Sequence, residues 1–404
     1  MTFHTSGKTP AKKINAKARR AARSVHGLSR YDTLVRESVA GRTKPDVPLP
    51  QVFGRIGHRN PLTGMEADGT PFGAAKVIAG FTDALDAMRD DKDPTSDVDA
   101  GMTFFGQFID HDVTLDAQSA IGTRIDPRSI RNVRTPALDL DCVYGDGHAA
   151  SPHLYNPRHE GFLNSGTAAN PHDVARNAHG TALIGDPRND ENQIVSQLQN
   201  AFVTLHNIVM TAIEAGDAAV PAALSGIRSE ALAADADASA MAFQAARRSC
   251  RLHYQWLIMN DFLPAFVDAK VLHSVKHALA SGALPAPFKP DSPVMPIEFS
   301  GAAYRFGHAT VQNDYTLNSG AGRKFNLFEL GRPEFSSRKP ELNIEWECLF
   351  RFPGGAEPDK ARPIGRKLTG SIFILHFINH GLSIDGAALP VEEARQLPTP
   401  WATC

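Results

Sequence analysis

Four short stretches of this 404-residue chain carry side chains whose types and spacing can do chemistry. In Gly106-Gln107-Phe108-Ile109-Asp110-His111-Asp112, Gln107 and His111 are four residues apart and share one face of a helix. A neutral imidazole there can take a proton from a bound peroxide while the amide orients the same ligand. Asp110 and Asp112 flank the histidine off that face, and a structural histidine between capping acids is the plainer alternative. In residues 185–192, Arg188 and Glu191 stand one helical turn apart, although Asp190 and Glu191 also suit a helix N-terminus on electrostatic grounds alone. In Tyr304-Arg305-Phe306-Gly307-His308, the histidine can ligate an iron while the arginine three residues earlier pairs with a propionate. A buried, hydrogen-bonded histidine is the commoner fate of a single His. In Thr135-Pro136-Ala137-Leu138-Asp139-Leu140-Asp141, alternating oxygen-bearing side chains with a carbonyl between them suit calcium, and an Asx-rich turn is the competing reading.

These stretches lie in a helical frame. Apolar residues recur at helical spacing over 74–90 (Val77, Ile78, Phe81, Leu85, Met88) and predict a helix there. A shorter helix is predicted over 100–112, ending in the His111 motif. The clearest pattern runs over 193–215, with Ile194, Leu198, Phe202, Leu205 and Val209 on one face. Another long helix is predicted over 237–263, stopping near Pro264 as the ring requires. A Pro/Gly/Ser-rich loop follows at about 281–293, and residues 45–73 read as an irregular lead-in rather than a strand. The fold class is mainly α, one large helical domain over 46–404 with few short strands.

Composition excludes several function classes. With 42 basic and 44 acidic side chains, the net charge of −2 gives no global pull toward nucleic acid. Residues 1–45 carry eleven Lys or Arg against two acids (Asp32 and Glu37) and read as a solvated, flexible basic arm. Four scattered cysteines (Cys142, Cys250, Cys348, Cys404) are too sparse for a disulfide framework or a zinc knuckle and read as free thiols. No apolar run reaches the length of a membrane span, and no secretory signal is visible, so the expectation is a soluble protein, cytoplasmic or exported by another route.

Together and in this order, the motifs resemble those of the animal-type haem peroxidases of the peroxidase–cyclooxygenase superfamily, in the style of its compact bacterial members. Phe105-Gly106-Gln107-Phe108-Ile109-Asp110-His111-Asp112, Leu138-Asp139-Leu140-Asp141-Cys142-Val143-Tyr144-Gly145, residues 185–192 and Tyr304-Arg305-Phe306-Gly307-His308 all match, as does the stretch from Ala245 to Pro264. The resemblance spans about Phe53 to Phe350. It implies a haem b enzyme that oxidises halides or small organic donors with hydrogen peroxide through a ferryl haem. His111 would be the distal base, Arg188 would stabilise charge as the oxygen–oxygen bond breaks, and Gln107 would hold a distal water or halide-like ligand. His308 would be the proximal iron ligand, and Arg305 would contact a haem propionate. Asp110 and Glu191 match the two acids that form ester links to haem methyls in animal enzymes. Asp112, Thr135, the carbonyl of Ala137, Asp139 and Asp141 would hold calcium beside the distal base.

The resemblance has gaps. Asn192 stands where myeloperoxidase carries its sulfonium-forming methionine, and Asp141 stands where mammalian enzymes use serine. No asparagine is evident to accept a hydrogen bond from the proximal histidine: Asn379 is a remote substitute, Arg395 matches a nearby arginine, and the chain from about Arg362 reads as diverged. Three alternatives stay on the page. A fatty-acid oxygenase of the same superfamily would need a tyrosine over the haem. A decayed scaffold would be a haem-binding or adhesion module. A metal-dependent phosphohydrolase would leave Gln107, Arg188 and residues 304–308 unexplained.

Overall fold

The computed structural model of the chain describes residues 51–53, 68, 74–90, 92–115, 131–148, 150–216, 238–283, 294–326, 335–370, 372, 383–384 and 387–388. The basic arm over 1–45, Asn379 and Arg395 lie outside the described residues.

The fold is mainly α, as the periodicity predicts. In chain order come β1 (Gln51–Val52), α1 (Ala74–Met88), β2 (Arg89–Asp90), α2 (Ala100–Val113), β3 (Arg131–Asn132), α3 (Asp141–Tyr144), α4 (Gln193–Glu214) and α5 (Ala238–Leu257). A widened turn, Ile258–Phe262, leads into α6 (Leu263–Phe266), followed by α7 (Ala269–Ala280) and α8 (Ile297–Gly301). The 3-10 segments at Pro187–Asp190 and Ala303–Thr310 carry two of the motifs. Strands are two-residue pairings: β1 runs antiparallel to β3, placing a short strand in the expected lead-in, and β2 runs parallel to Leu368–Thr369.

Helix α2 is the centre of the core. Twelve of its residues are buried, including Phe104, Phe105, Phe108 and Ile109, so protein covers every face of it. Phe108 stacks on Phe202 of α4 at 4.9 Å and meets Tyr254 of α5 edge-on at 6.0 Å. Gly101 is needed for this packing: a Cβ there would fall within the ring of Phe350. Helix α4 starts where Asn192 accepts hydrogen bonds from the backbone N–H groups of Ile194 and Val195, a side-chain cap suited to asparagine. It ends at Gly216, whose φ of +64° suits a residue without a Cβ.

Helix α5 departs from expectation. Pro264 does not stop it; the helical path continues to Phe266. The Leu263 N–H reaches back to the carbonyl of Ile258, five residues earlier, and the widened turn makes room for the proline ring at the next position. Helix α7 was not anticipated, and it is capped by Asp268, which accepts from the backbone of Lys270 and Val271. Near the C-terminal end of the described chain, Arg362 is buried and pairs with Asp90 at 3.1 Å and Asp93 at 3.3 Å. The segment read as diverged is therefore packed onto the end of α1, at least as far as Thr369.

A buried charge lattice ties remote segments together. Asp190 takes hydrogen bonds from Arg176 at 2.7 and 2.8 Å and from Arg338 at 3.1 Å. Asp173 accepts from Arg176 at 2.8 Å and from the backbone of Arg338 at 2.9 Å. These Arg176, Asp190 and Arg338 side chains are each 2% exposed, so losing Asp190 takes a carboxylate from two buried cations and leaves Arg176 with Asp173 alone. Asp190→Ala is expected to destabilise the fold by about 3–5 kcal/mol, read as a lower denaturation midpoint. A midpoint unchanged within error would show the lattice to be ornamental.

Candidate active site

His111 sits in the last turn of α2, 6% exposed. Its Nδ1 lies 2.6 Å from Oδ1 of Asn189, whose Nδ2 lies 2.8 Å from Oε1 of Gln199 on α4. Nε2 has no hydrogen-bond partner among the described residues. Burial, with Arg188 adding to it, pushes the imidazole down to about 4, so the ring is neutral at neutral pH. A neutral, buried imidazole with one nitrogen unengaged can act as a proton acceptor.

Arg188 is brought beside His111 by a paired contact with its own loop. Its Nε and NH2 donate to the two oxygens of Asp186 at 3.0 and 2.8 Å, and NH2 also donates to the carbonyls of His111 and Thr114. Asp186 is fully buried, and Arg134 donates to it from the other side at 2.6 Å. Burial opposes ionisation of Asp186, but Arg188 and Arg134 outweigh it and hold the carboxyl well below the usual range. Arg188 is 28% exposed and its NH1 makes no hydrogen bond among the described residues, so one edge of the guanidinium is open. Gly185 lets this loop come close, since a Cβ there would meet the carbonyls of Asp141 and Cys142 at 2.7 and 2.6 Å.

Gln107, one turn before His111, is fixed from both ends. Its Nε2 donates in a short contact to Oε1 of Glu191, and its Oε1 accepts from Nδ2 of Asn192 at 3.2 Å. Asn192 therefore caps α4 with its oxygen and holds Gln107 with its nitrogen. Burial pushes Glu191 up to about 7, against the opposing pull of Arg188 and Gln107.

The second histidine lies on the 303–310 segment, which packs against α2. Thr103 and Thr310 hydroxyls meet at 2.9 Å, Tyr304 donates its hydroxyl proton to the carbonyl of Gly106 at 3.0 Å, and Arg305 lies 3.5 Å from Asp110. His308 has Nδ1 at 3.1 Å from the Arg305 carbonyl. That carbonyl accepts the Nδ1 proton and leaves Nε2 with its lone pair, the form that ligates a metal. Asp110 also accepts from the Thr114 hydroxyl at 3.0 Å.

The third group gathers without closing. Asp112, Asp139 and Asp141 are all buried, Thr135 donates to Asp139 at 2.7 Å, and Ala137 lies half-buried between them. Asp112 accepts from the backbone of Leu140 at 3.2 Å, while Oδ1 of Asp141 is buried with no partner. Burial and Asp139 push Asp112 up to about 6, and burial with the same neighbours raises Asp141 well above its usual range. Leu138 and Leu140 are held at φ of +51° and +60°, left-handed conformations that cost a branched residue roughly 1–2 kcal/mol each. No three His, Cys, Asp or Glu side chains among the described residues converge closely enough to hold a metal.

The structure thus brings Gln107, His111, Arg188 and Glu191 together where α2 meets residues 187–192, and places Arg305 and His308 on the adjoining segment. Asp186, Asn189, Gln199 and Arg134 were not singled out in the sequence. Asn189 lies within residues 185–192, where Arg188, Glu191 and Asn192 draw the reading, and an amide carries no spacing signal of its own.

A family model described as animal haem peroxidase matches residues 117–344, more than half of the chain; the match begins after the His111 motif. No curated protein matches in sequence. Among solved structures, peroxidase A from Dictyostelium discoideum is 14% identical with a TM-score of 0.52, covering 88% of this chain and 72% of its own. Fatty acid alpha-dioxygenases from Arabidopsis thaliana and Oryza sativa are each 16% identical, with TM-scores of 0.40 and 0.43. They cover 58% and 61% of this chain, which spans 42% and 48% of theirs. At such identities the likeness to peroxidase A concerns the fold alone.

Glu191 makes the site's electrostatics measurable. The folded chain keeps its proton up to about pH 7, whereas the unfolded chain gives it up near 4.5. This contribution is present at low pH and is lost as pH rises from about 4.5 to 7, by roughly 3 kcal/mol at most. Glu191→Gln is expected to gain stability relative to the parent over that interval, in denaturant titrations at each end of it. A pH-independent difference would mean Glu191 ionises normally.

Proposed function

The chain belongs to the animal haem peroxidase family, and from that premise we propose that it is a haem-dependent peroxidase. In this reading it reduces hydrogen peroxide and oxidises a halide or small organic donor. The observation that carries the proposal is the pair of histidines on packed elements, His111 and His308. Each has its Nδ1 spent on a fixed partner, and neither Nε2 has a partner among the described residues. In this reading His308 would ligate the iron of a haem b, and His111 would serve as the base.

Bound haem would supply the iron at which peroxide is reduced and a donor oxidised. The chain supplies the rest. Nε2 of His111 takes the proton from one peroxide oxygen and returns it to the other. Arg188, tied to Asp186 yet open along one edge, stabilises the charge that develops as that bond breaks. The second N–H of Gln107 orients a distal water or halide-like ligand. Arg305, which lies 3.5 Å from Asp110, would contact a propionate, and Asp110 and Glu191 would be the carboxylates available for ester links.

Calcium is part of the same proposal. Three buried carboxylates, an orphaned Asp141 oxygen and two strained leucines describe a loop whose negative charge Arg134 and Arg247 offset only in part. A calcium held by Asp112, Thr135, Ala137, Asp139 and Asp141 would fix the end of α2 one residue from His111. The peroxidase reading is supported over the oxygenase one by Tyr304, the tyrosine beside the proximal motif, whose hydroxyl is committed to the Gly106 carbonyl. The described residues contain no helix long and apolar enough to cross a membrane.

The test is the absorption spectrum of the chain supplied with haem, before and after a stoichiometric pulse of peroxide. A ferric Soret band that responds to peroxide is expected. His308→Ala should lose the band, whereas His111→Ala should keep it and react with peroxide on the order of 10²–10⁴ times more slowly. Absence of haem in the parent would sink the proposal. For calcium, titration should raise the melting temperature of the parent and leave Asp141→Ala unmoved; an equal rise in both would remove the ion from this loop.

A further inference from the structure

The mechanism above leaves two fully buried amides unused: Asn189 contacts the proposed base, and Gln199 contacts Asn189. Asn189 and Gln199 are both 0% exposed and join His111 in a three-member chain at 2.6 and 2.8 Å. We propose that Asn189, oriented by Gln199, is a positioning residue that sets the tautomer of His111: it keeps the proton on Nδ1 and leaves Nε2 bare. The inference deepens the peroxidase reading and rests on it for its functional meaning.

The argument is one of donors and acceptors. Of the two Asn189 amide atoms, Nδ2 donates to Oε1 of Gln199, so Oδ1 faces the imidazole. Oδ1 can only accept, and Nδ1 must therefore carry the hydrogen. A neutral imidazole holds one proton, so Nε2 keeps a lone pair. Turning both amides over would preserve the chain of contacts but put the proton on Nε2, where nothing could accept a proton from peroxide. Three separate elements hold the arrangement. Asn189 is anchored between Asp186 and Asp190, each bound by buried arginines, Gln199 projects from α4, and His111 from α2. A tautomer set in this way also fixes the ring plane, because rotation would break the 2.6 Å contact.

The experiment reads the tautomer directly and separately from catalysis. The full chain is labelled with nitrogen-15 at histidine, His111 is assigned with His111→Ala, and long-range proton–nitrogen spectra are recorded on the haem-free protein. The parent should show a protonated Nδ1 and a bare Nε2. Asn189→Asp, which keeps an acceptor against Nδ1, should retain that pattern. Asn189→Leu should lose it, and Gln199→Leu, which frees the amide to turn over without touching the histidine, should give a mixture. In the haem-loaded chain, Asn189→Leu should slow the reaction with peroxide by on the order of 10²-fold or more at unchanged Soret absorbance, while Asn189→Asp stays within about tenfold of the parent. A protonated Nε2 in the parent overturns the proposal, as does an Asn189→Leu chain with the parent's tautomer. If the parent shows the expected tautomer but binds no haem, the peroxidase reading fails while the assignment of Asn189 stands.

Discussion

Asp186 is a carboxylate without solvent, held between Arg134 at 2.6 Å and Arg188 at 2.8 Å, and the site is arranged around that contact. A single buried carboxylate between two guanidiniums leaves a net positive charge, and its position is unforgiving, because losing either partner changes the charge of a dry region. Four residues on, Asp190 repeats the device with Arg176 and Arg338. Between these two anchors lie Arg188 and Asn189, with Glu191 just beyond. The loop that faces His111 is therefore pinned by ions at both ends, where hydrogen bonds along its single 3-10 turn alone would leave it soft.

Helix α2 answers that loop from the other side. Its burial on all faces lets one helix serve three surroundings: Asp112 faces the loop at 138–142, His111 and Gln107 face residues 188–192, and Gly106 and Asp110 face the 303–310 segment. Successive residues of a helix are about 100° apart, which is why three consecutive polar residues, Asp110, His111 and Asp112, can meet three different partners. Aromatic packing of Phe105 and Phe108 against Phe202, Tyr254 and Phe262 holds the helix in place while its last turn carries this polar load.

Polar burial is not balanced everywhere. The loop after Thr135 gathers three carboxylates, raises the proton affinity of two of them and holds two leucines in left-handed conformations. Arg251 donates to the Asp139 carbonyl and Gln255 to the Leu138 carbonyl, so the strain is contained by α5. The proposed calcium would turn that liability into a clamp on the helix end that carries the proposed base.

Much of this was legible in the residues themselves. Periodicity placed α1, α2 and α4 to within two residues, because apolar residues recur in each at helical spacing, and His111 with Gln107 had to share a face of α2. The motif order was enough to suggest the family, since each string is a dense set of polar residues that must converge. Sequence was misleading at Pro264, because the widened turn that accommodates the ring depends on the packing of Phe262 and Ile258, not on local propensity. Asn189 and Gln199 were invisible, as were the roles of Asp186 and Arg134. Their meaning is a contact between segments 10 to 78 residues apart, and an amide or a carboxylate declares no partner until the tertiary structure removes the water that would otherwise satisfy it.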